Sequence, residues 1–260
     1  MPEINENTHA AEILREFLSY PLNETEAIFE RFRRLPGASV IGSGRKRVLY
    51  VEGSRPIESG RCLLVSHADT VWDDYWGDAV KPAGNGVPFF EESGILRSSD
   101  PARGLGADDR AGLAILWLLQ DLGHSLLVTD LEEHGRLGST YLRYQEPQVL
   151  AQINRDHAFA IQFDRCNNRD FKCYDVGSDE FRVYLSEQTG YTEPNRSSYT
   201  DICTLCDPHA TDEKMCGVNL SVGYYDEHSA DEHLVLSEWL QTLNLTKRWL
   251  SEPTLPSFRR

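Results

Sequence analysis

Positive charge is scarce in this sequence. Its 260 residues hold 26 Lys and Arg against 41 Asp and Glu, a formal net charge of −15. Such a surface repels polyanions, which excludes DNA and RNA as partners. Long apolar runs are missing too: none approaches the roughly 20 residues needed to span a bilayer, so no membrane partner is expected. The opening Met1-Pro2-Glu3-Ile4-Asn5-Glu6 is acidic and polar, unlike a secretory signal. There are six cysteines, and a chain this long needs no disulfide framework. Free thiols in a reducing cytoplasm are therefore expected. Cys203-Thr204-Leu205-Cys206 has CxxC spacing, but no second pair completes a thiolate metal site. No repeat, low-complexity stretch or linker divides the chain, so residues 1–260 read as one domain.

What is present suffices for a core, at 40% hydrophobic and 10% aromatic residues. Thr8 reads as the cap of a first helix over 10–20, with Ile13, Leu14, Phe17 and Leu18 on one face. Asn23 and Glu26 read as the capping pair of a second helix, which buries Ile28, Phe29 and Phe32. Strands over 39–41 and 47–51 form a hairpin across Gly42-Ser43-Gly44. Continuous apolar strands follow at 61–66, 124–131, 158–163 and 216–224, a pattern expected of strands covered on both faces. Helical segments separate them, over 111–122, over 138–150 and around 180–185, and a further strand is expected at 171–176. Residues 72–99 read as a long functional loop with a hairpin at Gly94-Ile95-Leu96. Ser229 and Glu232 read as the capping box of a last helix carrying Leu234, Leu236, Trp239, Leu240 and Leu243. Strands alternating with helices predict an α/β fold, a mixed central sheet with helices on both faces.

In open α/β sheets, ligands bind beyond the carboxyl ends of the strands. Here those ends carry His67 and Asp69, then Glu132 and Glu133, then Asp164, then His228. A further pair, Asp108-Asp109, follows the glycine loop Gly104-Leu105-Gly106 and opens an apolar helix. Each cluster alone has an ordinary explanation. Adjacent acids at a helix start cap it, a lone buried histidine is a satisfied core residue, and Glu132-Glu133 is a solvated strand end. Five clusters at one sheet edge are harder to explain so, because converging carboxylates without counter-charge are unstable. Two divalent cations opposing Asp108, Glu133 and Asp164 resolve this, with Asp108 between them. Histidine with carboxylate suits zinc, and cobalt or manganese fits the same donors.

The ordered set HxD, GADDRAG, EExG, FDR and His-Ser before a helix resembles the di-zinc exopeptidase clan. That clan includes the zinc aminopeptidases, the aminoacylase and carboxypeptidase group, and the bacterial tripeptidases. The resemblance runs from Ser66 to Glu232. It implies that His67 and Asp164 bind one zinc, Glu133 and His228 the other, and that Asp108 bridges both. It implies further that Asp69 orients His67 from behind, that the Asp108–Asp109 peptide is cis, and that Glu132 is the general base. The chemistry implied is hydrolysis of an amide, with Glu132 taking a proton from water and returning it to the leaving amine.

The sequence departs from part of the clan. The carboxypeptidase, aminoacylase and tripeptidase branches insert a lid domain between the last two ligands. Here 165–227 has room for a strand, a helix and loops. The aminopeptidase branch, which lacks the insert, fits the size better and often places a tyrosine near the oxyanion. Tyr191, Tyr199, Tyr224 and Tyr225 are the candidates. His233 competes with His228 as last ligand, but it would lie one turn into the final helix, so His228 is preferred. His134 reads as a loop residue, and His9, His124, His157 and His209 receive no role. Trp72, Trp76, Phe89 and Phe90 read equally as pocket walls and as loop packing. Three functions stay open: an exopeptidase of aminopeptidase type on peptides or small amides, a di-zinc deacylase of a non-peptide N-acyl amine, and a metal-stabilised binding protein without catalysis. Nothing in the sequence sets the oligomeric state.

Overall fold

The structure, a computed structural model, describes residues 6–73, 86, 88–195 and 198–260. Strand β3 (Leu63–His67) is buried along its whole length and lies at the centre of a seven-stranded sheet. Strands β6 (Ser125–Thr129) and β7 (Ala160–Arg165) flank it, both parallel to it. Beyond β7 comes β9 (Gly217–Ser221), again parallel. Antiparallel strands close both edges: the hairpin of β1 (Ala38–Ser43) and β2 (Lys46–Val51) beside β6, and β8 (Phe171–Lys172) beside β9. The mixed sheet with helices on both faces is therefore observed.

Successive strand residues point to opposite faces, so the continuous apolar strands feed two cores. Leu64, Leu126 and Ile161 stand side by side in the register. They belong to one core with helices α1 (Glu6–Leu18) and α3 (Ala107–Leu119). Leu63, Val65, Leu127 and Ala160 face the other way, against Leu142 of α4 (Leu137–Gln145) and Leu150 and Ile153 of α5 (Pro147–Asp156). Gly112 lets α3 lie on the sheet, since a Cβ there would run into the Phe163 carbonyl and the Asp109 carboxylate. Arg110 is fully buried and donates to the carbonyls of Ala68, Pro21 and Glu24. It thereby ties the end of β3 to the connection before α2 (Glu26–Arg33). Burial lowers its pKa to about 10, so it stays charged at neutral pH.

Several element boundaries differ from expectation. The N-cap position of helix α2 is Thr25, and the Glu24 carboxylate accepts from Ala27 N in its first turn. The helix expected over 138–150 is two helices, because Pro147 has no N–H and clashes with the preceding turn. The strand expected over 216–224 breaks at Gly223 (φ +87°). Beyond it, β10 (Tyr224–Tyr225) joins a second, antiparallel sheet with β11 (His233–Val235), β5 (Ile95–Ser98) and β4 (Phe89–Glu92). The β4–β5 turn has Ser93 at φ +55° and Gly94 at φ +78°. Two left-handed residues in a row match the twist of a tight hairpin. The last helix, α8 (Leu236–Leu250), starts only after β11, so Ser229 and Glu232 do not cap it and Leu234 lies on a strand. Two further helices, α6 (Asp179–Thr189) and the unforeseen short α7 (Asp201–Leu205), precede β9. No described helix is long and apolar enough to cross a membrane.

Candidate metal centre

The parallel strands end on one edge, and the predicted residues gather there. His67 is the last residue of β3, Asp164 lies near the end of β7, and Glu132-Glu133 follow β6. Asp108 opens α3, and His228 sits at φ +63° in the connection between β10 and β11. The two oxygens of Asp108 face different histidines. Oδ1 lies 3.1 Å from His67 Nε2 and Oδ2 lies 3.2 Å from His228 Nε2. Each imidazole also meets a second acid: His67 Nε2 is 3.4 Å from Asp164 Oδ1, and His228 Nε2 is 2.9 Å from Glu133 Oε1. His67, Asp108 and Glu133 present ligand atoms within 4.8 Å of one another. Among the described residues, no lysine or arginine pairs with Asp108, Glu133 or Asp164.

The neighbouring Asp109 has the capping use. Its Oδ1 accepts from Gly112 N, 3.1 Å away, while Oδ2 accepts from His67 N and the Ser66 hydroxyl. The peptide between the two aspartates is cis. Asp69 works from behind. Its two oxygens accept from Glu132 N (2.9 Å) and Glu133 N (3.1 Å), and its backbone carbonyl and Oδ1 lie 3.1 and 3.4 Å from His67 Nδ1. One carboxylate thus orients an imidazole and a loop bearing two glutamates. His134, read as a plain loop residue, also faces it, with Nδ1 3.6 Å from Asp69 Oδ2. Asp69→Asn removes one of two buried acceptors. We expect a loss of about 1–3 kcal/mol in denaturant unfolding and metal affinity weakened about 10–100-fold, read by competition with a chelating dye.

Asp164 is held by Thr200 Oγ1 (2.5 Å) and Gln162 Nε2 (2.8 Å), with the Tyr224 hydroxyl 3.4 Å from its other oxygen. Of the four candidate tyrosines, Tyr224 and Tyr199 line the cavity over the site. Tyr225 and Tyr191 donate elsewhere, to Glu238 and Thr242. Tyr174 also lines it and carried no sequence signal. The cavity encloses about 180 Å³, and its walls include Asp108, Glu132, Glu133, Asp164 and His228. A larger cavity of about 480 Å³ lies against Phe171 and Arg182, but no histidine lines it. Trp72, Phe89 and Phe90 are not among the lining residues, and Trp76 lies outside the described residues. His233 stacks on Tyr225 and faces Asp226, away from the aspartate pair. His124, without an assigned role, is a satisfied core residue between Cys62 N and the Leu250 carbonyl.

Glu232 is the residue sequence reasoning misplaced. It is buried and accepts from Gly106 N (2.6 Å) and Asp108 N (3.0 Å). A Cβ at Gly104 would run into this carboxylate, which is one reason for glycine in the loop. Its spacing from Ser229 matched a helix cap, so the pattern pointed to local use.

The electrostatics suit cations. Burial and then the charge of Asp108 push the Asp164 carboxyl up to about 7. Burial and Asp164 drive Glu132 well above the usual carboxylate range, and Glu133 rises through burial and Asp108. Conversely, His228 is raised to about 11 by its contacts with Asp108 and Glu133. Burial opposes charge on His67, yet Asp108 and Asp164 pull it well above its ordinary value. Without a cation, protons must do the neutralising. Two imidazole nitrogens and three carboxylates, one with an oxygen toward each imidazole, form a donor set of the kind that binds divalent metal ions.

No protein family matches the sequence, and no curated protein does either. Solved structures do match. Aminopeptidase PepT from Bacillus cereus aligns over 96% of this chain and 99% of its own, at 14% identity and a TM-score of 0.65. An aminopeptidase from the archaeon Desulfurococcus kamchatkensis covers 96% of each chain, at 13% identity and 0.64. A tripeptidase from Staphylococcus aureus covers 96% of this chain and 99% of its own, at 14% identity and 0.61. The chain has the fold of these peptidases.

Proposed function

We propose that this chain is a two-metal hydrolase of amide bonds, an exopeptidase of aminopeptidase type acting on short peptides. One observation carries the reading: the two oxygens of Asp108 address two histidines, each already beside a second carboxylate. His67, Asp108 and Asp164 would hold one ion, and Asp108, Glu133 and His228 the other. Zinc is the ion proposed, with cobalt or manganese suited to the same donors. The chemistry supplied by two bound divalent cations is polarisation of the amide carbonyl and acidification of water. Glu132 lines the cavity while its backbone is anchored on Asp69. Its carboxylate takes a proton from water and hands it to the leaving amine. Asp69 keeps His67 oriented and does not itself meet substrate. The fold shared with aminopeptidases and a tripeptidase supports peptides as substrates.

The stretch between Asp164 and His228 contributes β8 and β9 to the central sheet, which supports one catalytic unit without an inserted lid. Six free cysteines fit a reducing compartment, and the cytoplasm is the location proposed. An unliganded base on the cavity wall favours catalysis over a purely metal-stabilised binding protein.

The test is metal content together with a substrate panel. About two zinc ions per chain are expected after reconstitution. Peptides with a free amino terminus should be cleaved and their N-acetylated counterparts should not. The reverse preference would indicate a deacylase, and no metal would end the assignment. The ions should also leave in order. The His228 side chain is 48% exposed and that of His67 1%, so the Glu133–His228 ion should be chelated first, giving two kinetic phases of zinc release.

A further inference from the structure

A second cavity, of about 490 Å³, adjoins the metal site; Tyr174 and Tyr199 line both. In a chain of net charge −15 it is lined by three arginines, Arg136, Arg143 and Arg260. Arg143 (2.5 Å) and Arg260 (3.7 Å) share a single carboxylate, Asp207, which Lys214 also contacts at 2.5 Å. Asp175 is the other acid on the wall. On the wall three arginines thus stand against two carboxylates, and one of the two, Asp207, is also shared with Lys214 from outside the wall. Arg136 has no acid partner among the described residues. Its Nη1 donates to Thr204 Oγ1 at 3.3 Å, and its guanidinium lies over the Tyr199 ring, 5.3 Å from the centroid. Neither contact neutralises it.

Arg136 is also fixed relative to the proposed base. Gly135 N and Arg136 N both donate to the Glu132 carbonyl, at 3.0 and 2.8 Å, which closes a tight turn. The cation therefore sits one turn from Glu132, on the side where the two cavities meet. The volume lies within the range of small-ligand pockets. A planar guanidinium backed by an aromatic ring suits a carboxylate, which it can bind through two parallel hydrogen bonds.

We infer that this cavity is a substrate subsite in which Arg136 binds a carboxylate of a short peptide whose scissile bond lies over Asp108 and Glu132. The inference deepens the peptidase reading and rests on it for the position of the scissile bond. The carboxylate has two sources, the carboxyl terminus and an acidic side chain.

Three probes separate them: Ala-Ala-Ala as the free acid, Ala-Ala-Glu with an amidated terminus, and Ala-Ala-Ala amide. Calorimetric binding to the zinc-loaded protein carrying Glu132→Gln prevents turnover, and the same probes are assayed as substrates of the unaltered protein. At least one acid is expected to bind about 10–100-fold more tightly than the neutral amide, the range of a charge-assisted hydrogen bond. Adding Arg136→Ala should erase that difference without changing the neutral amide, and Arg136→Lys should keep part of it. Arg136 holds its turn through backbone atoms, and zinc content with melting temperature checks each variant. Equal binding of all three probes, no binding of any, or a preference that survives Arg136→Ala overturns the subsite. A carboxylate preference lost in Arg136→Ala, without any hydrolysis by the unaltered protein, upholds the subsite and overturns the peptidase reading instead.

Discussion

Glu132→Gln is expected to retain both metal ions and the fold while lowering turnover about 10²–10⁴-fold, the usual contribution of a general base. The amide fills the same space, and the backbone N–H of residue 132 still reaches Asp69. Glu133→Gln should behave otherwise. Its Oε1 lies 2.9 Å from His228 Nε2, at the more open half of the site. Losing that negative charge should release the ion held there and reduce turnover as a consequence. Zinc stoichiometry and turnover measured side by side on both variants distinguish the two residues. If Glu132→Gln lost an ion while Glu133→Gln kept both and stayed active, the roles would be exchanged. If neither change touched turnover, hydrolysis at this site would have to be given up.

Glu232→Ala should be the most damaging change outside the donor set. It leaves Gly106 N and Asp108 N buried without acceptors. Each orphaned N–H costs about 1–3 kcal/mol, so about 2–6 kcal/mol of stability is expected to go. The loop that aims Asp108 at both histidines loses its anchor with it, so metal affinity should fall at both positions. Glu232→Gln keeps one acceptor oxygen and should recover part of both. Urea unfolding and zinc competition on the two variants check this. Wild-type metal affinity in a folded Glu232→Ala protein would show that Asp108 is aimed without it.

The sequence by itself determined the strand core and the positions of the candidate donors. Strands β3, β6, β7 and β9 are continuous apolar runs, and such runs bury both faces wherever they occur in a sheet. His67, Glu133 and Asp164 follow or end those runs, so their place at one sheet edge was readable before any contact was known. Asp108 was readable too, through the glycine loop before an apolar helix.

Tertiary structure decided what local pattern cannot carry. Two adjacent aspartates look alike in sequence, yet Asp109 caps α3 and ties down β3 while Asp108 faces the histidines. Ser229 and Glu232 have the spacing of a helix cap, but β11 pairs with β5 and keeps residues 233–235 extended. That pairing frees Glu232 to cross to the Asp108 loop and carries His233 away from the donors. Arg136 directly precedes α4 and Arg143 lies in its last turn, and neither carries a signal in the sequence. That they face Arg260, distant in sequence, across one cavity beside Tyr174 and Tyr199 depends on how α4 and α7 pack. Hydrogen bonds and charges act over a few ångströms in space, whereas spacing in sequence reports only on partners within a turn or a strand.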